Sequence, residues 1–186
     1  MKILVAGNKD YGLSNSIAQE YPDAKFLSRS TGFNLNDSDI RDEIAKLSLD
    51  YDVFISVSCL SQFRQTLVVE SIIKEWMSNN HNGYMIVIGS SADTPVKGTS
   101  WTYPSEKKAL RAYLRQLSQI VASSQPPNWK ITYLSPGNLH TPKQDQKLPD
   151  TPKLDTDYVT SLIKWLLAQP RNINISEVCL DRIQTD

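Results

Sequence analysis

The sequence predicts an α/β fold: a three-layer, doubly wound parallel sheet of about six strands with helices on both faces, in a single domain spanning residues 1–186. Three observations carry this. Short apolar, β-branched runs alternate with longer amphipathic ones along the whole chain. Most of the short runs are nearly unbroken apolar stretches, as strands covered on both faces require. The length, 186 residues, suits one domain with a sizeable core.

The predicted strands are 2–6, 25–28, 53–57, 84–89, 131–135 and 177–180. Between them lie five predicted helices. The first, 13–20, ends before Pro22, and the second, 37–47, opens with an acidic first turn. The third, 62–78, carries Leu67, Val68, Ile72 and Trp76 on a broad, partly apolar face. The fourth, 104–123, starts on a proline and sets Leu110, Leu114, Leu117 and Val121 on one stripe. The fifth, 157–168, stops at Pro170. Only residues 29–32 separate the second strand from the apolar Phe33–Leu35. A parallel crossover needs about a dozen residues, so Phe33–Leu35 is expected to run across the carboxyl edge of the sheet.

Composition excludes several classes. Lys+Arg and Asp+Glu both number 20, so no global field draws the chain to nucleic acid or an anionic membrane. Residues 1–6 are too short for a signal-peptide core or a membrane span, and no other stretch is long enough. Cys59 and Cys179 are far apart and make no metal-ligand pattern, so no metal site is expected. A reduced, cytoplasmic protein is the economical expectation.

Chemistry is expected at the carboxyl ends of the strands, where open α/β sheets bind ligands. The first strand runs into Gly7-Asn8-Lys9-Asp10-Tyr11-Gly12-Leu13-Ser14 and then a helix. A glycine-bearing turn there lets backbone N–H groups and the helix N-terminus face a pyrophosphate. Ser14 takes the place of a third glycine, and an ordinary strand–helix turn reads the same way. After the second strand comes Ser28-Arg29-Ser30-Thr31, without a carboxylate. A guanidinium suits a ribose 2′-phosphate where an acid would bind a 2′-hydroxyl, and Lys9 adds charge; a solvated loop arginine is the alternative.

The strongest signal is Tyr103-Pro104-Ser105-Glu106-Lys107. Residues four apart share a helix face, so the phenol and the ammonium can enter one site. An ammonium favours the phenolate, which makes tyrosine a better general acid/base. Such pairs also arise by chance, and the context adds weight. Ser90 ends the predicted strand 84–89 and precedes Tyr103 by 13 positions. Its hydroxyl is placed to bond a substrate oxygen as charge develops there. The strand 131–135 then enters Pro136-Gly137-Asn138-Leu139-His140-Thr141.

Taken in order, the glycine turn, Ser90, Tyr103 with Lys107, and Pro136-Gly137-x-x-x-Thr141 resemble the short-chain dehydrogenase/reductase family over nearly the whole chain. The resemblance implies a Rossmann-type fold binding NAD(H) or NADP(H), of which Arg29 favours NADP(H), and hydride transfer to or from a small carbonyl or alcohol. It implies that Tyr103 is the catalytic acid/base, that Ser90 orients the carbonyl, and that Lys107 bonds the nicotinamide ribose while tuning Tyr103. The cofactor-facing set it implies is Gly7, Asn8, Lys9, Tyr11, Gly12, Leu13, Ser28, Arg29, Ser30, Ser56, Val57, Ser58, Tyr103, Lys107, Pro136, Gly137, Leu139 and Thr141. Thr141 would meet the nicotinamide end.

The sequence departs from the family pattern in three places. Ser56-Val57-Ser58-Cys59 stands where the family has Asn-Asn-Ala-Gly. The helix asparagine of the proton relay has no clear counterpart in 62–78, Gln62 lying only near its place. The usual helix and strand after the second strand are missing, so the expected sheet is trimmed, in order 2-1-3-4-5-6.

By resemblance, residues 138–154 are the substrate loop, with Pro142, Pro149, Pro152, Lys143, Lys147, Lys153 and no apolar periodicity. A mobile lid and a plain unstructured loop both fit. His140 stands to touch substrate or to be merely solvated, and Cys59 to line the cofactor site or fill core. Trp76, Trp101, Trp129 and Trp165 are expected to pack, with Trp101 also a candidate wall of the substrate pocket. Family members commonly pair through the helices corresponding to 62–78 and 104–123, so a homodimer or homotetramer is expected. Two rival functions stay open: a non-catalytic NADP(H)-binding regulator, and an atypical reductase of flavin or another extended ring.

Overall fold

The computed structural model describes residues 1–58, 61–94, 98–123 and 127–183. Its six strands are β1 (Ile3–Ala6), β2 (Lys25–Leu27), β3 (Val53–Ser56), β4 (Tyr84–Ile88), β5 (Lys130–Pro136) and β6 (Glu177–Leu180). They form one parallel sheet in the order β2-β1-β3-β4-β5-β6, as the trimmed pattern predicts. Strands β1, β3, β4 and β5 are buried throughout, which is why they read as unbroken apolar runs.

Alternate residues of each strand feed opposite cores. Leu4, Phe54, Met85, Val87, Ile131 and Tyr133 pack with α2 (Ser38–Leu47), α3 (Arg64–Ser78) and α4 (Tyr103–Val121). Val5, Ile55, Ile86, Ile88 and Leu134 pack on the other face with α1 (Gly12–Glu20) and α6 (Thr156–Leu167). Each face of the sheet is therefore covered by helices.

The chain leaves β1 for β2 on one side and returns to β3 on the other. The carboxyl ends of β1 and β3 therefore form the switch point, the place where such sheets bind ligands.

Local chemistry sets the helix starts. Asp37 caps α2 by accepting from Asp39 N at 3.1 Å. Gln62 and Phe63 adopt φ of 60° and 59°, so α3 begins at Arg64 and not at 62. Phe33–Leu35 forms no strand: Phe33 N donates to Ser28 O at 2.9 Å, and Leu35 is buried in the core beside α2.

The 138–154 segment holds more structure than its pattern suggests, since it contains a helix, α5 (Pro142–Lys147). Proline opens α5 at a position that needs no N–H, and the Thr141 hydroxyl caps it by accepting from Gln144 N. Reciprocal bonds His140 N to Leu154 O and Leu154 N to Asn138 O, both 2.8 Å, close the base of the loop. The buried Lys153 donates to Pro149 O and Thr151 O from within. An unstructured loop is thereby overturned.

Trp76 and Trp129 lie in the core as expected, whereas Trp101 and Trp165 are exposed. Among the described residues, no helix is long and apolar enough to cross a membrane and no cluster of His, Cys, Asp or Glu could hold a metal.

Candidate active site

The β1–α1 turn sits at the reversal point. Gly7 N donates to Leu27 O at 3.0 Å, which ties the turn to the end of β2. A side chain on Gly7 would run into the Ser14 hydroxyl and Val57, so the serine in the third glycine position fits only because Gly7 has none. Gly12 has φ +54°, and a Cβ there would lie 3.2 Å from Thr141 Cγ2. The glycine turn and Thr141, 129 positions apart, are thus neighbours.

Tyr11 precedes α1 without giving it a side-chain cap. Asn8 spends its side chain on Asp10 N at 3.2 Å, and Lys9 lies exposed on the turn. The Leu13 side chain is in the core beneath α1, so only its backbone belongs to the turn.

Beside this turn, Ser28 and Ser30 share a hydroxyl bond of 2.8 Å, and Thr31 Oγ1 accepts from Ser28 N at 2.9 Å. These bonds fold 28–31 into a tight turn that leaves Arg29 exposed. On the other side Val57 N and Ser58 N both donate to Ala6 O, at 3.0 and 2.8 Å. Backbone, rather than an asparagine pair, shapes that wall.

Deeper lies a buried polar knot that sequence reasoning missed. Lys107, 5% exposed, donates through Nζ to Gln65 Oε1 at 2.6 Å and to Ile88 O at 3.3 Å. Gln65, 4% exposed, donates through Nε2 to Ile88 O at 3.0 Å and to Ser56 Oγ at 3.2 Å. Gln65, one turn beyond Gln62, is the α3 residue that reaches Lys107. The available signal was a lone amide among apolar positions on the inner face of α3.

Ser90 follows β4 directly. Its Oγ accepts from Ala92 N at 3.2 Å, which leaves its proton to donate outward. Beneath it, Tyr133 accepts from Ser90 N at 3.4 Å and donates to Asp93 Oδ2 at 2.7 Å. Burial, and then the Asp93 carboxylate, push the Tyr133 phenol well above the usual tyrosine range, so it stays a donor. Arg111 Nη1 binds the other Asp93 oxygen at 3.0 Å. Gly89 is required because a side chain there would strike the Tyr133 ring.

Tyr103 opens α4, half-buried, with the Lys107 ammonium 5.5 Å from its ring centroid. Trp101 stacks on the same ring at 4.8 Å with 20° between planes. Lys147, at the end of α5, lies 5.3 Å from the Trp101 ring. Pro136 ends β5, Gly137 packs against Asp181, and Leu139 bridges Leu154 at the loop base.

His140 pairs with Asp145 Oδ2 at 3.0 Å and stays more than half exposed. Two open depressions lie elsewhere: about 690 Å³ lined by Asp93, Thr94, Lys108, Arg111, Ala112 and Arg115, and about 430 Å³ between the 138–154 segment and Arg182 with Ile183. Neither is lined by Ser90, Tyr103 or Lys107. Cys59, a candidate lining residue, lies outside the described residues.

No protein-family model matches the chain. It is 25% identical over 130 residues to an uncharacterised oxidoreductase of Staphylococcus aureus (strain N315), covering 69% of this chain and 53% of the relative. The chain therefore spans about half the length of the curated relatives it matches. Among solved structures, a serine dehydrogenase in its closed form with NADP+ superposes with a TM-score of 0.74 at 13% identity, covering 97% of this chain and 94% of the other. A 4-hydroxyisoleucine dehydrogenase with NADH gives 0.75 at 14%, covering 97% of each. A short chain dehydrogenase/reductase family protein gives 0.73 at 17%, covering 97% and 95%. The order of motifs along the sequence and the path of the backbone agree: the chain is built on the short-chain dehydrogenase/reductase fold.

Proposed function

We propose that the protein is an NADP(H)-dependent oxidoreductase that interconverts a small carbonyl compound and its alcohol, with Tyr103 as the proton donor and acceptor. The observation that carries this is the buried Lys107 ammonium, fixed by Gln65 and Ile88 O beside the Tyr103 ring at the strand end that also presents Ser90. A buried ammonium needs such partners to remain charged. An ammonium held beside a phenol favours its phenolate form, which is what a tyrosine acid/base needs.

The β1–α1 turn suits a dinucleotide. Gly12 leaves no side chain between the turn and Thr141, and the uncapped N-terminus of α1 offers N–H groups to a pyrophosphate. Arg29 is exposed on the turn that follows β2, and a guanidinium there suits a ribose 2′-phosphate, which favours NADP(H) over NAD(H). When bound, the nicotinamide supplies or takes the hydride. Ser90 donates to the substrate oxygen, Tyr103 gives or removes its proton, and Thr141 closes the nicotinamide end of the site.

The test is NADPH oxidation across a panel of aldehydes and ketones, with binding followed by NADPH fluorescence. Turnover by wild type that falls at least about a hundredfold in Tyr103→Phe, with binding retained, supports the reading, since positioned acid–base groups contribute about that much. Binding without turnover in both proteins would instead assign a cofactor-binding regulator. Assembly as a homodimer or homotetramer through α3 and α4 belongs to the same proposal, and light scattering of the purified protein tests it.

A further inference from the structure

We infer that Asp93 and Tyr133 are positioning residues for Ser90, clamping its peptide groups so that the serine hydroxyl is presented in one fixed place. The inference rests on the reductase reading and deepens it, since both residues act on substrate only through Ser90. Three bonds close a circuit. Ser90 N donates to the Tyr133 oxygen at 3.4 Å, the Tyr133 hydroxyl donates to Asp93 Oδ2 at 2.7 Å, and Asp93 N donates back to Ser90 O at 3.1 Å. Chemistry fixes these directions, because an amide N–H only donates and a carboxylate only accepts. The main-chain donor and acceptor of Ser90 are both spent on the circuit. Its Oγ accepts from Ala92 N at 3.2 Å, and the hydroxyl proton remains for a substrate oxygen.

The circuit is built into the core. Tyr133 and the Asp93 carboxylate are both buried. A buried carboxylate is costly unless it is paired and hydrogen-bonded. Asp93 is both: Arg111 Nη1 at 3.0 Å and Thr94 Oγ1 at 2.9 Å meet Oδ1, while Tyr133 meets Oδ2. Arg111 is gripped in turn by the two oxygens of Glu177, through Nε at 2.9 Å and Nη2 at 3.0 Å, which anchors Asp93 to the edge strand β6. Gly89 completes the fit, since a Cβ there would collide with the Tyr133 ring and hydroxyl, and glycine lets the phenol reach the Ser90 amide. Stability alone does not call for this set, because apolar residues of like volume often replace a buried ion pair without loss. Holding one segment in one geometry does. A misplacement of about 1 Å at a reacting centre is costly in rate.

The experiment is a double-mutant cycle between Tyr133→Phe and Ser90→Ala, read in NADPH-dependent reduction of the fastest-reacting aldehyde of the panel. Ser90→Ala should lower kcat about a hundredfold, the scale of one lost donor to a developing oxyanion. Tyr133→Phe keeps the ring and removes one hydroxyl; it should lower kcat about tenfold, with KM and NADPH affinity changed less than about twofold. In the Ser90→Ala background the same change should cost less than about twofold, because no hydroxyl is left to misplace. An equal loss in both backgrounds marks a merely structural role and overturns the proposal, as does full kcat in Tyr133→Phe. Asp93→Asn, with one acceptor oxygen in place of two, should show the same pattern more weakly; no effect removes Asp93 from the clamp. Amide hydrogen exchange followed by NMR needs no turnover. Exchange at Ser90 should quicken about tenfold or more in Tyr133→Phe while the amides of β4 and β5 keep their protection. If wild type reduces no aldehyde, the reductase reading fails by itself and exchange decides the clamp: faster exchange at Ser90 supports it, and unchanged exchange overturns it.

Discussion

The Lys107 ammonium and the Gln65 side-chain amide meet at 2.6 Å, both buried, in the wall between α3 and α4. The same amide donates to Ile88 O and Ser56 Oγ, so one side chain fixes the lysine, the end of β4 and the end of β3. Replacing Gln65 by leucine keeps the volume and leaves an ammonium and a carbonyl short of partners. A loss of about 1–3 kcal/mol is expected in urea unfolding, the cost of an unsatisfied buried polar group. Gln65→Glu retains an acceptor for Lys107 but adds a negative charge, which offsets the ammonium and moves the acid limb of the kcat profile for alcohol oxidation to higher pH. An unchanged pH profile in Gln65→Glu would separate Gln65 from the ionisation of Tyr103.

A second pair, Gly7 and Ser14, is coupled by exclusion. Any Cβ on Gly7 meets the Ser14 hydroxyl, with Val57 close behind. Gly7→Ala is expected to destabilise the protein by about 1–3 kcal/mol through overpacking and to weaken NADPH binding. Ser14→Gly removes the obstacle, so the double variant should recover much of that loss although each single change is unfavourable. Thermal unfolding of the four proteins gives the coupling directly; additive effects would show that the two residues do not collide.

Strand order was legible through the family resemblance, trimmed of the helix and strand missing after the second strand, and the sheet matches it. Ser90, Tyr103 and Lys107 were legible because position on a strand end or a helix start is a local property. Gln65 was not, since its role depends on α3 lying across β3 and β4, and a glutamine among apolar residues carries no sign of its partner. Helix α5 was missed for the opposite reason. It is two turns at most, with no buried side chain, and it is held by the Thr141 cap and by the bonds that close the loop at Leu154 rather than by an apolar stripe.

Arg29 gives the cofactor prediction. The turn around it is fixed by Ser28, Ser30 and Thr31, so truncating the arginine should leave the backbone in place. Arg29→Ala is expected to weaken NADPH binding about tenfold or more while leaving NADH unchanged, as loss of a charge-assisted phosphate contact implies. Fluorescence titration with both nucleotides measures it. Equal affinity for the two in wild type, with no effect of the substitution, would remove Arg29 from the site.

Glu177 links the edge strand β6 to α4 and makes that link sensitive to acid. Its carboxylate receives Arg111 Nε at 2.9 Å and Arg115 Nε at 2.7 Å, and hydrogen bonding from Arg111 is the chief cause that draws its pKa from 4.5 down to about 2. A carboxylate held below its unfolded value stabilises the native state above that unfolded value, and loses the contribution as pH falls toward the folded one. The window is therefore from about pH 4.5 to about pH 2. Glu177→Gln should be less stable than wild type at pH 7 and should converge with it as pH falls through that window. Because Arg111 also holds Asp93 beneath Ser90, the variant should lose reductase activity beyond its loss of stability. Urea unfolding at pH 7, 5, 4 and 3 measures the first effect. Parallel curves for the two proteins across that range would show that Glu177 does not carry the acid sensitivity of the β6 edge.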